Sequence, residues 1–297
     1  MDVGRPGRMD GRFVAGLWRE HLARAVADWV GTGGRPPGLA VVRVGEDPAS
    51  AVYVRQKATA ARAAGFLVED MVLPEDTSME RVQEVLRDLA ARPEIDGLML
   101  QLPVPPPLDA DVLLEDIPGE MDVDGLGIHQ AGRLATGVPD LPPCTPAGVM
   151  ELLRAHGVNL SGARALVIGR SRIVGRPMAQ MLLHADATVT VAHSRTRDLE
   201  ALVASADLVV VAAGRSGLIK GAWCSPESVV VDVGIHPRRE GGLTGDVDWQ
   251  GEVPRVQAWT PVPGGVGPMT VAMLLVNTWR AHGRREGHAP LEAPYAS

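Results

Sequence analysis

The sequence has no excess of positive charge: 29 Lys and Arg stand against 36 Asp and Glu, a formal net charge of -7 over 297 residues. That argues against the broad basic field by which proteins attract nucleic acid or an anionic membrane surface, and favours a small-molecule partner. Cysteine is nearly absent. Cys144 and Cys224 lie far apart and fit no metal-ligand spacing, so neither a disulfide nor a zinc site is expected, and a reducing, cytoplasmic setting fits. Long apolar runs are missing too. Stretches such as LVVVAAG are far too short to span a bilayer, and the opening MDVGRPGRMDGR lacks the apolar core of an export signal.

What the chain does have is alternation. Short β-branched runs, GLAVVRV (38–44), FLVEDMVL (66–73) and IDGLMLQL (95–102), are separated by helix-like segments, the pattern of a parallel βαβαβ unit. A Pro-rich passage from PVPPPL to DLPPCTP follows. The alternation then restarts with ARALVIG, ATVTVAH, ADLVVVAAG and SVVVDVG, which reads as a second α/β domain. The apolar stretch MTVAMLLVNTWRAH (269–282) reads as a last helix, and the tail after Gly283 as frayed and polar.

The second domain opens with ALVIGRSRIVGRPM (165–178), a strand, a Gly turn at Gly169 and a helix beginning near Gly175 and Pro177. This is the layout of a dinucleotide-binding loop, but the middle glycine of the usual G-x-G-x-x-G is Ser171. A serine hydroxyl at that place can itself donate to phosphate. The next strand ends in AHSRT. An NAD site carries Asp or Glu there for the ribose 2'-hydroxyl, whereas His193, Ser194, Arg195 and Thr196, with Arg170 from the first loop, suit the 2'-phosphate of NADP. The competing reading is an ordinary turn with solvated arginines.

In the first domain, Asp47-Pro48 reads as a helix start and Gly65 as its stop, which places Tyr53 and Lys57 at i and i+4 on one face. Gln101 stands at the carboxyl end of the third strand, the end at which open α/β sheets bind ligands. In a poorly solvated pocket the charged lysine is disfavoured, its pKa falls, and the amine becomes available as a general base that Gln101 can orient. Asp122 and Asp124 in MDVDGL are paired carboxylates. They are a weak candidate for a metal, while one carboxylate can accept two parallel hydrogen bonds from an amidine-like edge such as that of a pterin. TPVPGGVGPMT (260–270) joins fixed prolines to Gly264, Gly265 and Gly267, which let the backbone approach a ligand, with Pro268 opening the last helix.

Taken in order, VGEDPASAVYVRQK, LMLQLPVP, DVDGL, PPCTPAG, VIGRSRIVGRPM, AHSRT, VDVGI, GDVDW and TPVPGGVGPMT resemble the bifunctional methylenetetrahydrofolate dehydrogenase/cyclohydrolase enzymes. The resemblance implies two α/β domains flanking a cleft. Residues 1–144 with 269–297 would form a catalytic, folate-binding βαβ domain, and 145–268 a Rossmann-like NADP-binding domain through which a homodimer forms. It implies Lys57 as the catalytic lysine, Gln101 as its modulator, Tyr53 against the folate and Asp124 as pterin anchor. Leu102, Pro263, Gly264, Gly265, Val266 and Gly267 would also touch the folate. Gly169, Arg170, Ser171, Ser194, Arg195 and Ile235 would meet NADP. The implied chemistry is oxidation of 5,10-methylenetetrahydrofolate and hydrolysis of the methenyl product to 10-formyltetrahydrofolate, in one-carbon metabolism that feeds purine biosynthesis, without a metal.

Two departures from the family pattern stand out. Met121 precedes DVDG where Lys is usual and GIHQ (127–130) follows it, and His236 stands where Asn is common after VDVGI. The competing functions are a shikimate-type NADP dehydrogenase, a dehydrogenase without hydrolase activity, and a folate- or NADP-binding paralogue without catalysis. The joint presence of Tyr53, Lys57 and Gln101 argues against a mere binder.

Overall fold

A computed structural model of the protein describes residues 7–46, 48–238, 240–251 and 254–295, with the backbone alone for 48–53. The chain forms two compact units: a first from residues 16–144 and 271–295, and a second from 7–15 and 145–270.

In chain order the first unit contains α1 (Gly11–Gly31, its opening residues counted with the second unit), β1 (Gly38–Val44), α2 (Pro48–Ala63), β2 (Leu67–Leu73), α3 (Met79–Ala90), β3 (Gly97–Leu100), α4 (Ala110–Glu115) and α5 (Ile128–Ala135). The strands make a parallel sheet of order β2-β1-β3. β1 lies in the middle and is buried everywhere but Arg43, which is why its sequence is nearly continuously apolar rather than alternating. Helix α3 starts where the Ser78 hydroxyl caps the Arg81 N–H. It turns Val82, Val85, Leu86 and Leu89 inward, a period of 3.6, onto a core shared with Leu98, Leu100 and Leu113.

The second unit continues with α6 (Cys144–Ala155), β4 (Arg164–Ile168), α7 (Gly175–His184), β5 (Thr188–Ala192), α8 (Leu199–Ser205), β6 (Leu208–Val211), β7 (Ile219–Lys220), β8 (Val229–Asp232), β9 (His236–Pro237), β10 (Leu243–Thr244), β11 (Val247–Asp248), β12 (Ala258–Trp259) and the start of α9 (Val266–Glu286). Five strands form a parallel sheet of order β12-β8-β6-β4-β5. From β4 the chain runs outward to β5, then returns to β6 on the other side, so the loops after β4 and β6 diverge at the switch point where doubly wound sheets take ligands. Residues 7–9 run parallel to β12, with Met9 N–H on the Trp259 carbonyl (2.8 Å) and Trp259 N–H on the Gly7 carbonyl (2.7 Å). That edge is covered, whereas β5 at the opposite edge is largely exposed.

Two expectations from the sequence are corrected. Helix α9 begins at Val266 rather than Met269, so Gly267 and Pro268 lie in its first turn, where a missing proline N–H leaves no intrahelical bond unmade. The tail packs against the fold as far as Tyr295. The helix runs on to Glu286, the His288 ring stacks on Trp279 with centroids 3.8 Å apart, and Tyr295 packs edge-on against Trp18 at 6.3 Å. Ring side chains that count as polar in sequence present apolar faces here.

Candidate active and cofactor sites

Lys57 projects from the second half of α2 and is 7% exposed. Its Nζ donates to Gln101 Oε1 at 3.1 Å and lies 3.8 Å from Met99 Sδ. Gln101 directly follows β3, its N–H on the Val42 carbonyl at 2.7 Å. Its amide is oriented by Nε2, which donates to the Leu102 carbonyl at 2.7 Å and so turns Oε1 toward the lysine. The structure thus brings Lys57 and Gln101 together at the carboxyl end of β3. Tyr53 belongs to α2 one turn before Lys57, but its side chain, like all of Asp47, lies outside the described residues.

The loop carrying Asp124 is organised by Asp122. This carboxylate is 1% exposed and accepts from the N–H groups of Gly125 (3.0 Å), Leu126 (3.3 Å) and Gly127 (2.7 Å). Burial pushes its pKa up to about 6, against the downward pull of those three donors, with the charge of Asp124 adding to the rise. Gly125 has φ +74°, and a Cβ there would sit 2.6 Å from the Leu141 carbonyl oxygen and the Pro143 nitrogen. The two aspartates thus divide their work: Asp122 is consumed by the backbone, and Asp124 is left half-buried beside it. Among the described residues no group of three or more His, Cys, Asp or Glu is arranged to hold a metal ion.

Cys144 was not singled out by sequence. Its N–H donates to the Asp124 carbonyl (3.3 Å) and its thiol to the Val123 carbonyl (3.1 Å). Burial pushes the thiol pKa far up, Asp124 adds to the rise and Lys57 opposes it, so lysine, aspartate and thiol share one electrostatic neighbourhood. The GIHQ departure is built into the aspartate loop through the Gly127 N–H on Asp122 and is otherwise held by Gln130. Gly127 precedes α5, and Gln130, 1% exposed, donates to the Gly119 carbonyl at 2.5 Å and accepts from Leu141 N–H at 3.1 Å. Met121 is buried in the core of the first unit.

In the second unit the turn after β4 is as tight as its glycines suggest. Gly169 has φ +122°, and a Cβ there would lie 2.1 Å from the Ala212 carbonyl oxygen at the end of β6. Ser171 also organises the start of α7. Its Oγ accepts from the N–H groups of Val174 (3.2 Å) and Gly175 (3.3 Å), and its carbonyl from Arg176 N–H (3.0 Å). The hydroxyl thus takes over the start of α7, while its own proton remains to donate. β4 and β5 pair in register, Ile168 with Ala192, and Gly169 N–H bonds the Ala192 carbonyl at 2.9 Å, so this turn lies beside the AHSRT turn. There His193 N–H bonds Thr196 Oγ1 (2.9 Å) and Arg195 N–H bonds His193 Nδ1 (3.2 Å), with Ser194 and Arg195 exposed and no carboxylate between 192 and 197.

Ile235 follows β8 and is 36% exposed, and a Cβ on Gly267 would meet its Cδ1 at 3.5 Å. His236, the second departure, hydrogen-bonds through Nε2 to Asp246 Oδ1 at 2.7 Å. Asp246 Oδ2 in turn accepts from Ala213 and Gly214 N–H (2.7 and 2.9 Å), so the histidine is tied to the loop after β6. The neighbouring Asp232 is pushed up to about 6 by burial. In the 260–267 segment, Gly264 has φ +107°, its carbonyl accepts from Arg12 N–H (3.2 Å), and a Cβ on Gly265 would lie 2.7 Å from the Pro261 carbonyl oxygen. Pro263, in a cis peptide bond with Val262, precedes this close-packed turn, and Val266 starts α9.

A doubly wound parallel sheet with a Gly-x-Ser turn at its switch point, in a chain whose other unit presents a buried Lys–Gln pair beside an organised aspartate loop, defines a two-domain nucleotide-dependent α/β enzyme. Two family descriptions match along the chain: the tetrahydrofolate dehydrogenase/cyclohydrolase catalytic domain over residues 9–124, and the NAD(P)-binding domain of the same enzymes over 143–286. The chain belongs to the tetrahydrofolate dehydrogenase/cyclohydrolase family. It is 52% identical over 280 residues to the bifunctional protein FolD of Parasynechococcus marenigrum, covering 94% of this chain and 96% of that one. Among solved structures it is similar to the bifunctional FolD of Campylobacter jejuni (40% identity, TM-score 0.90, 93% and 99% of the two chains) and to FolD of Trypanosoma brucei complexed with NADP and an inhibitor (40%, 0.88, 94% and 98%). The shikimate 5-dehydrogenase of Thermus thermophilus shares the fold alone, at 17% identity and TM-score 0.53 over 87% and 97% of the chains.

Proposed function

We propose that the protein oxidises 5,10-methylenetetrahydrofolate with NADP and hydrolyses the resulting methenyl cation to 10-formyltetrahydrofolate. The observation that carries this reading is the buried Lys57, held at 3.1 Å by an amide that is itself fixed, in a chain of this family. NADP, when bound, accepts the hydride. The protein's part in that step is to position donor and acceptor. Asp124 accepts two parallel hydrogen bonds from the amidine edge of the pterin, and Tyr53, Leu102 and the 263–267 turn contact the folate. Lys57 then takes a proton from the water as it adds to the methenyl carbon, and the bond from that carbon to N5 breaks with N5 taking up a proton, one proton being released overall; Gln101 fixes the direction of the lysine Nζ.

The residues present suit NADP. Gly169 leaves no room for a side chain at the turn, Ser171 keeps a hydroxyl proton for phosphate, and Arg170, Ser194 and Arg195 supply cationic and hydroxyl donors where an NAD site has an acid. Ile235 walls the same site. Residues 1–144 with 269–297 serve folate binding and 145–268 the cofactor, a division that follows the two compact units except at 7–15 and 269–270, which lie in the second unit. No helix among the described residues is long and apolar enough to cross a membrane. The proposed enzyme works in the cytoplasm and supplies purine biosynthesis. The exposed, β-branched edge strand β5, with Val191 39% exposed, and the exposed Leu183 of α7 support a homodimer through the cofactor unit.

The test is Lys57→Ala. Folate still binds, cyclohydrolase turnover falls by about 10²- to 10⁴-fold, and dehydrogenase turnover falls less. A variant that binds folate with full cyclohydrolase turnover removes Lys57 from the mechanism.

A further inference from the structure

Asn277 is a fully buried amide on α9, 1% exposed, to which the chemistry above assigns no part. Its Nδ2 donates to two carbonyls from separate segments, Val123 and Pro142, each at 2.9 Å, and lies 3.7 Å from Cys144 Sγ. Both hydrogens of the amide are therefore used. The two segments are those that enclose Asp124. Val123 immediately precedes it, and the Pro142–Cys144 turn follows through the Cys144 N–H on the Asp124 carbonyl. The Cys144 thiol donates to the same Val123 carbonyl, and Gly125 is wedged against Leu141 and Pro143.

We infer that Asn277 is a positioning residue for Asp124: its amide joins the 122–127 loop to the 142–144 turn and so fixes where the aspartate presents its carboxylate to the pterin. An alanine at 277 leaves two buried carbonyls without one of their donors, and nothing else on α9 reaches both. The loop then keeps Asp122's backbone bonds but loses its tie to the second wall. Asp124 is displaced without being removed. The consequence falls on folate recognition and not on NADP, whose residues hang on β4, β5 and β8. The inference rests on Asp124 being the pterin anchor.

The experiment is a double-mutant cycle of Asn277→Ala and Asp124→Ala, read as KM for methylenetetrahydrofolate and for NADP. Asn277→Ala is expected to raise the folate KM about 10-fold, as loss of one buried hydrogen-bond tie would, with the NADP KM unchanged. In the Asp124→Ala background the same substitution adds nothing, because the group it positions is gone. Additive effects in the double variant, an unchanged folate KM, or an equal rise in both KM values overturn the inference and leave Asn277 a general packing residue. If Asp124→Ala by itself leaves the folate KM unchanged, the pterin-anchor reading fails and the inference falls with it. Should Asn277→Ala not fold, Cys144→Ala removes the thiol's bond to the same Val123 carbonyl and takes its place in the cycle, with the same outcomes deciding.

Discussion

Gly175 gives the sharpest stability and binding test of the cofactor turn. A methyl group at this position would lie 2.2 Å from the Gly169 carbonyl oxygen, 2.5 Å from its carbon and 2.8 Å from Arg170 N, all backbone atoms of the turn after β4. None of these is the far end of a flexible side chain that can swing away. To reach ordinary contact the turn must recede from α7 by about 1 Å, and overpacking of this kind costs about 1–3 kcal/mol. The same displacement moves Gly169, Arg170 and Ser171, and stretches the bonds from the N–H groups of Val174 and Gly175 to Ser171 Oγ, now 3.2 and 3.3 Å. A misplacement of about 1 Å in a binding element costs up to about 100-fold. Gly175→Ala is therefore expected to raise the NADP KM by about 10- to 100-fold, leave the folate KM within about two-fold, and lower Tm by several degrees. Steady-state kinetics in both substrates and a thermal melt check it. A variant with unchanged NADP KM and unchanged Tm would refute the claim that these two glycines set the turn against the helix.

Arg195→Ala is expected to cut the preference for NADP over NAD by about 10-fold, since an exposed charge-assisted contact to the 2'-phosphate is lost while the rest of the site stands; equal loss with both cofactors would mean that Arg195 points away from the ribose. Asp122→Asn tests the buried carboxylate. Its pKa is raised from 3.8 to about 6, so the folded state holds the proton more tightly, and this contribution to stability is full below about pH 4 and lost as pH rises through about 6. The two-unit rise corresponds to about 3 kcal/mol. The stability of Asp122→Asn minus that of the wild type should therefore increase by about that amount between pH 4 and 7.5 in urea unfolding, and a flat difference contradicts the assignment.

Much of the fold is legible in the sequence because it depends on local pattern. The run GLAVVRV is strand β1 residue for residue, and the turn of Gly169 is visible because only a glycine tolerates φ +122° against the Ala212 carbonyl. Lys57 and Gln101 are legible through one topological rule, that ligands gather at the carboxyl ends of parallel strands. What escapes is what depends on distant partners. Asn277 and Cys144 are a polar residue in an apolar helix and a lone thiol until the fold brings them, 154 and 21 residues along the chain, to the Val123 carbonyl. Asp122 looks like half of a metal pair until three backbone N–H groups are seen to occupy it. Ser171 is legible as a donor to phosphate but not as the acceptor for the Val174 and Gly175 N–H groups at the start of α7, because that role depends on where the helix starts, and Gly-Arg-Pro leaves that start ambiguous.

The central claim, that one chain carries both activities, is tested most directly by a two-signal assay. Methylenetetrahydrofolate and NADP are mixed with the enzyme, and reduced cofactor and the methenyl intermediate are followed together, with NAD in parallel. The account predicts reduction of NADP with little build-up of methenyltetrahydrofolate. Reduction with full accumulation of the methenyl form would show a dehydrogenase whose Lys57–Gln101 pair does not serve hydrolysis, and no reduction with either cofactor would contradict the account altogether.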